Sequence, residues 1–544
     1  MAESKKQSYL HGAAILASTA ILVKLIGAVF KIPLFNLLGD EGTGHFQLTY
    51  QIYTLLLTVS YSGIPVALSR LISAASETGR RRQAERYFSV ALPAFVAVGA
   101  AVSLAMFIFA PQLAAFMRDA QIVTAIRVLS PAVFFCCVLS VYEGYAQGHG
   151  DMVPTALKQL LEVSCKLVIG LTVAWWVLRR APGSSKADAA AGAITGVVLG
   201  LVLSLPVLIF YKRRHDRRLP RGTDSGAPPS PRGRTLLSIF KVSIPITLGA
   251  SFMTIMTIID ARIVMSRLVE GAGVTKEQAV PLYGVYSKGL ALLQLPSAFV
   301  VPVTVSIIPA ISAAIAAKRR SEAREISESS MKLVNLIALP AGIGMFVLSA
   351  PIFGAMYGGD ATGARILSIF GVASFFTCAQ LITTAILQAN GFERIPMLTY
   401  PIGGVIQIVC DWILVGNPNV GIIGSPVGTL LCYASITLLN FAVIQRRVKD
   451  PPRLSRVFVR PALIAACMGA AAWAVNGLLR KIDGGALGRA LGSERLATVV
   501  YLAVTILIAV LVYGILIIMT KTVTREDMKL VPKGEKLAKI LKIR

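Results

Sequence analysis

The chain has 544 residues, of which 55% are hydrophobic and only 15% charged, with a mean hydropathy of +0.70. A soluble protein carries roughly 25% charged residues, and so much apolar side chain cannot be hidden inside one or two soluble cores, which excludes a water-soluble enzyme or binding module. The 54 Lys and Arg against 27 Asp and Glu leave a net charge of +27. In a soluble protein that excess would point to nucleic acid; here membrane topology accounts for most of it, and no nucleic-acid partner is expected.

A membrane-spanning helix needs about 20 predominantly apolar residues, and the chain supplies fourteen such stretches. The first six cover residues 10–38, 45–73, 88–110, 121–147, 153–178 and 188–211. No small-residue cleavage site follows a short apolar region near the N-terminus, so the first stretch reads as a retained span. Residues 212–235 are basic and then rich in Pro, Gly and Ser, the composition of a flexible linker. Six further stretches follow at 236–266, 282–316, 329–350, 363–389, 394–416 and 420–445, then two more at 457–479 and 496–520. With the N-terminus inside, the inner loops and termini hold about three times as many Lys and Arg as the outer loops, a positive-inside pattern that makes both termini cytoplasmic. The seven cysteines lie in apolar runs and the four histidines are scattered, so neither suggests a disulfide framework, a metal site or a catalytic motif.

The sequence also resembles itself at an offset near 240 residues. Ile64 to Ser69 (IPVALS) matches Val301 to Ser306 (VPVTVS), and both run on to an ISAA ending, at Ile72 to Ala75 and Ile311 to Ala314. Gln147 to Gly150, followed by Pro154, corresponds to Gln388 to Gly391, followed by Pro396. Six is an even number of spans, so the repeats run parallel, a recurrent transporter design with substrate between the halves. The expected architecture is an all-α polytopic membrane protein of about fourteen transmembrane helices. It comprises a six-helix lobe (1–211), a basic cytoplasmic linker (212–235), a parallel six-helix lobe (236–446), two additional helices (447–520) and a basic cytoplasmic tail (521–544).

Charges inside the spans are costly, about 2.5–3.5 kcal/mol each on insertion scales, and mark cavities or partners. Lys24 and Lys31 lie nearly two helical turns apart and share a face with Gly27. Arg70 ends the second span, Arg262 lies in the seventh, and Lys288 begins the eighth ahead of Pro296 and Pro302. Lys158, Glu162 and Lys166 form an i, i+4, i+8 ladder, equally compatible with internal pairing and with substrate contact. Glu143 and Asp151 flank the turn after the fourth span and read as solvated. Asp260 and Asp411 are the acids deepest in apolar runs, and Gln407 shares a helix face with Asp411; oxygens of this kind suit a small hard cation or a proton relay. Bases within the spans outnumber acids by more than two to one, and a cavity of positive charge selects an anionic substrate.

With these features the chain resembles the multidrug/oligosaccharidyl-lipid/polysaccharide exporter superfamily, and within it the MurJ lipid II flippase and stage V sporulation protein B group. The residues that carry the resemblance are Leu22 to Gly27 (LVKLIG), Gly63 to Ser69 (GIPVALS), Gly144 to Gly148 (GYAQG) with Met152 to Thr155 (MVPT), and Tyr286 to Lys288 (YSK) with Pro302 through Pro309. It extends over essentially the whole chain. The resemblance implies a flippase, not an enzyme, that carries undecaprenyl-diphosphate-linked peptidoglycan precursor from the inner to the outer leaflet of the bacterial plasma membrane by alternating access. It places Lys24 and Lys288 where the family has arginines that contact the diphosphate, with Lys31, Arg70 and Arg262 as further cationic candidates; lysine keeps the charge and loses the bidentate fork. It also implies a sodium site from Asp260, Gln407, Asp411 and Thr429, with glutamine where the family has asparagine, and a groove for the lipid tail between the last two helices. Membrane lipids and cell-wall synthesis proteins are the other expected partners, and no cofactor is expected beyond sodium as coupling ion. A flippase for another polyprenyl-linked polysaccharide shares the same signals. A multidrug/cation antiporter fits less well, because it calls for acidic residues in the first lobe.

Overall fold

The computed structural model describes residues 2–180, 183–218, 228–483, 486–520 and 522. Most of the tail 521–544 and the middle of the linker, 219–227, lie outside the described residues. Among the described residues the fold is helical throughout. Its helices are α1 (Ala2–Tyr61), α2 (Ile64–Glu77), α3 (Arg81–Ile108), α4 (Ala110–Phe116), α5 (Val123–Gly148), α6 (Val153–Cys165), α7 (Leu171–Arg180), α8 (Lys186–Arg218), α9 (Arg232–Glu270) and α10 (Lys276–Ala316). They continue with α11 (Arg320–Val347), α12 (Ser349–Tyr357), α13 (Ala361–Ala389), α14 (Arg394–Leu414), α15 (Gly424–Arg447), α16 (Leu454–Asp483), α17 (Ala486–Leu491) and α18 (Glu494–Met519).

Thirteen helical segments among the described residues are long and apolar enough to cross a membrane, which makes the chain a multi-pass membrane protein. The difference from the fourteen stretches expected lies at the N-terminus. The loop anticipated at 39–44 is reduced to a kink at Gly39 (φ 70°, ψ −166°), across which two helices join as α1 and count as one long segment. A positive φ is open to glycine with little penalty. The turn after it is pinned: Thr43 Oγ1 donates to the Gly39 carbonyl at 2.5 Å, and buried His45 Nδ1 is 2.5 Å from Asp119 Oδ2. The stretch expected as a single span at 153–178 is interrupted by a π-helical turn, Lys166–Gly170, between α6 and α7.

The chain divides into two compact units, residues 1–269 with 274–284, and residues 270–273 with 285–544. In the first, Ile64, Leu68 and Ile72 of α2 pack with Ala84, Ala91 and Phe95 of α3, Val141 and Tyr145 of α5, and Ile239 of α9. In the second, Val300, Ile307 and Ile311 of α10 join Met331 and Val334 of α11 and Ile382 and Ile386 of α13. The late helices α16 and α18 meet the second unit through Met468, Ala472, Leu502 and Ala509, packed with Leu348.

The backbone repeats itself at the offset that the sequence shows. After α2 the chain turns through Gly79 (φ 69°), and after α10 through Lys318 (φ 60°). Each turn is closed by a backbone bond, Arg80 to Ala75 at 2.8 Å and Arg319 to Ala314 at 2.9 Å. Asp119 and Asp360 are both extended N-caps that accept a backbone N–H two residues on. The turns after α5 and α13 pass through Gly150 (φ 80°) and Gly391 (φ 79°). Partners in these pairs lie 239 to 241 residues apart.

Within the first unit the start of α10 lies directly against α1. A Cβ on Gly284 would sit 1.8 Å from the Asp40 carbonyl oxygen, and Gln51 Nε2 donates to Tyr283 Oη at 2.6 Å beside it. Gly249 of α9, by contrast, faces open space. Overpacking a close contact costs about 1–3 kcal/mol, whereas Gly to Ala in an open helical position gains about 0.5–1 kcal/mol. Gly284→Ala is therefore expected to lower the melting temperature of the detergent-solubilised protein, and Gly249→Ala to leave it unchanged or raise it; differential scanning fluorimetry on the purified variants measures both.

Candidate functional site

Five charged side chains gather inside the helices of the first unit. Lys158 of α6 reaches Glu143 of α5, with Nζ 3.5 Å from Oε1 and side chains only 7% and 6% exposed. The turn between α5 and α6 makes this pairing possible: it folds α6 back so that residues fifteen apart in sequence meet, which corrects the reading of Glu143 as solvated. Eight residues further along, Lys166 Nζ lies 2.6 Å from Glu162 Oε1, an i, i+4 pair 14% and 20% exposed. The ladder expected from sequence is thus divided, one lysine turning to Glu162 and the other to Glu143. Lys166 also donates to the Tyr50 hydroxyl at 3.4 Å and lies 5.7 Å from that ring, while Lys158 lies 5.9 Å from the Tyr61 ring. Lys31 of α1, half-buried, completes the group within electrostatic reach of Lys166. Three lysines against two glutamates leave one positive charge in excess. Glu143, Tyr50 and Tyr61 carried no sequence signal for this site, since none stands at helical spacing from the lysine it meets.

The remaining cationic candidates are dispersed. The side chain of Lys24 lies outside the described residues. Arg70 is exposed on α2. Arg262, on α9, donates to Ser266 Oγ and stacks over Phe116 at 5.5 Å. In the second unit Lys288 is 3% exposed, and its ammonium lies 5.4 Å from the Tyr357 ring centre. A lysine so far from water demands aromatic or anionic company.

Of the four oxygen-bearing candidates for a cation, the second unit holds three. Asp411 of α14 is wholly buried, with half-buried Gln407 one helical turn before it. The neighbouring α15 presents Gly428, where a Cβ would stand 2.4 Å from Asp411 Oδ1. Next to it Thr429 donates to the Ser425 carbonyl at 3.1 Å and lies 3.4 Å from the Tyr286 hydroxyl of α10. Asp411, Thr429 and Tyr286 thus converge around a backbone that keeps room beside the carboxylate; Tyr286 is an addition that the sequence reading did not include. Asp260, on α9, is buried in the first unit.

Cations and carboxylates buried inside apolar helices define the site, and comparison with known proteins gives the family. Residues 9–315 match the model described as "Polysaccharide biosynthesis protein", and residues 245–413 match the MatE model. The first match covers more than half of the chain, and the protein belongs to that family, within the multidrug/oligosaccharidyl-lipid/polysaccharide exporter superfamily. Three Bacillus subtilis (strain 168) proteins are similar along most of their length. The uncharacterized membrane protein YabM is 26% identical over 81% of both chains. Stage V sporulation protein B is 25% identical over 85% of this chain and 88% of its own, and the lipid II flippase MurJ 22% identical over 80% and 82%. Among solved structures, MurJ in an inward closed conformation superposes with a TM-score of 0.69 at 14% identity, over 92% of this chain and 98% of that one. An inward-facing multidrug resistance MATE transporter superposes at 0.62 and 16% identity, over 79% and 98%. These structural likenesses establish the shared fold.

Removing one partner of a buried ion pair strands the other charge and costs about 3–5 kcal/mol, whereas replacing both by apolar residues is often neutral. Lys158→Met is therefore expected to lower the unfolding free energy by about 3 kcal/mol, and the double variant Lys158→Met/Glu143→Leu to recover most of the loss. Denaturant titration of the purified protein in one detergent compares them.

Proposed function

We propose that this protein is a flippase for an undecaprenyl-diphosphate-linked sugar, and specifically for lipid II, working by alternating access in the bacterial plasma membrane with both termini in the cytoplasm. The observation that carries this reading is the positive excess among the charges inside the helices, above all the buried Lys288, in a chain of the polysaccharide biosynthesis family. A diphosphate brings two phosphoryl groups rich in acceptor oxygens, and lysine ammonium groups in a poorly hydrated site bind it as point charges. The similarity to MurJ and to stage V sporulation protein B supports a lipid-linked substrate. An organic cation would meet repulsion from the same residues.

The mechanism follows from charge and water. Each unit supplies a lysine, Lys31 in the first and Lys288 in the second, whose ammonium offsets part of the hydration that the headgroup sheds on leaving the interface, so the anion enters an otherwise apolar interior at a lower cost. The isoprenoid tail stays in hydrocarbon, and the apolar surfaces of α16 and α18 are where we place it. Sodium is proposed as the coupling ion: Asp411, Gln407 and Thr429 offer the hard oxygens such a cation takes, and the side-chain-free Gly428 leaves space beside the carboxylate. Asp260, buried in the first unit, is proposed separately as a carboxylate able to take a cation.

In cells depleted of their own lipid II flippase, expression of this protein is expected to restore lipid II on the outer leaflet. Lys288→Ala at equal membrane abundance is expected to lower the exposed fraction by about tenfold, the worth of one charge-assisted contact. No restoration by correctly inserted wild type would overturn lipid II as the substrate. Asp411→Asn is expected to abolish the dependence of translocation on external sodium; unchanged sodium dependence would remove Asp411 from the coupling site.

A further inference from the structure

Two lysine–glutamate pairs sit in the first unit, and they differ in a way that separates scaffold from site. The Lys158–Glu143 pair is sealed, with both side chains under a tenth exposed. The Lys166–Glu162 pair is about twice to three times as open, at 14% and 20%, and so has access to space outside the helix packing. Lys166 opens the π-helical turn Lys166–Gly170; such turns insert one residue into a helix and are concentrated at functional positions. α8 packs along α6, this turn and α7 in succession, which holds the irregular backbone in place.

α1 packs against α6 and the π-helical turn, and it brings a like charge within electrostatic range of Lys166. Lys31 of α1 interacts electrostatically with Lys166, and among the described residues no carboxylate pairs with it. Two ammonium groups within electrostatic range of each other in a low-dielectric setting repel. The Tyr50 hydroxyl, at 3.4 Å from Lys166 Nζ, adds a neutral group able to donate a hydrogen bond to an anion. Glu162 pairs directly with Lys166, and no carboxylate among the described residues does the same for Lys31. An anion with several oxygens would neutralise both lysines at once, which one glutamate tethered to α6 does not do.

We propose that Lys31, Lys166 and Tyr50 form a phosphate-binding subsite in the first unit, and that Glu162 is its built-in competitor. With the subsite empty, Glu162 holds Lys166; when a diphosphate arrives, Lys166 exchanges the carboxylate for phosphoryl oxygens and shares the anion with Lys31. The inference rests on the flippase reading given above and adds to it a second anion contact, supplied by the π-helical turn after α6, and decides for substrate contact at Lys166, which its spacing alone left open. Glu162 thereby keeps the empty site from retaining stray anions and favours release of the headgroup once it has crossed.

The test uses the full-length protein in nanodiscs, with undecaprenyl diphosphate as probe, undecaprenol as the uncharged control, and inorganic pyrophosphate to separate headgroup from tail binding. Lys166→Gln and Lys31→Gln are each expected to weaken undecaprenyl diphosphate binding by about tenfold without changing undecaprenol binding. Glu162→Gln is expected to tighten it several-fold, and opposite signs for the two members of one ion pair cannot arise from loss of folding alone. Melting temperatures of all variants are recorded alongside, and pyrophosphate is expected to follow the same order at lower affinity. Weaker binding in Glu162→Gln, in parallel with Lys166→Gln, would show the pair to be scaffold and overturn the inference. Unchanged affinity in Lys166→Gln, with the wild type still restoring lipid II in cells, would overturn the subsite and leave the flippase reading standing. A wild type that binds undecaprenyl diphosphate no better than undecaprenol would overturn both.

Discussion

A charge in hydrocarbon costs several kcal/mol unless something neutralises or hydrates it, and the interior of this protein is organised around that penalty. In the first unit Glu143 and Glu162 each take a lysine, so that the span formed by α6, the π-helical turn and α7, with its two cations, remains insertable. What matters functionally is that the neutralisation is incomplete. Lys31, within electrostatic range of Lys166 in the first unit, keeps one positive charge in excess of the two glutamates there, and in the second unit Lys288 is buried beside an aromatic ring. A chain selected only for stability would have replaced these lysines by apolar residues, since buried pairs contribute little net stabilisation.

Around these charges the helices are arranged by small residues and by repetition. The start of α10 presses against α1 through Gly284, a contact with no side chain in between, and the single break in the long first helix is placed at Gly39. Turns, caps and left-handed residues recur some 240 residues apart between the two units. Repetition of this kind gives each half the same helix-end geometry, while the charged residues differ between halves. The first unit carries paired lysines and glutamates. The second carries one buried lysine and the Asp411, Thr429 and Tyr286 constellation.

Much of this was legible in the sequence because it depends on length and periodicity. Runs of about 20 apolar residues located the spanning helices, and paired IPVALS and VPVTVS segments located the repeat that the backbone turns express. The i, i+4 spacing of Glu162 and Lys166 likewise located their pair. The misses have a common physical origin, contacts between residues distant in sequence or continuity enforced by packing. Glu143 looks solvated from its place near a turn, and only the folding back of α6 brings Lys158 to it. Residues 39–44, three of them glycine, read as a loop; in the folded chain the break narrows to a kink at Gly39, beside the His45–Asp119 contact and the close packing at Gly44 and Gly284. Tyr50 and Tyr61 gave no sequence signal, and Tyr286 none for a place beside Thr429, because aromatic residues are ordinary in apolar helices and acquire a role only through what they face.

The central claim is that an incompletely neutralised cationic interior selects an anionic, lipid-linked substrate. The most direct measurement reconstitutes the purified protein in liposomes and follows the leaflet distribution of a polyprenyl-diphosphate-linked sugar, with uptake of an organic dye cation measured in the same vesicles. The account predicts rapid redistribution of the diphosphate-linked sugar and no protein-dependent movement of the cation. Transport of the cation with the lipid-linked sugar left in its original leaflet would contradict it.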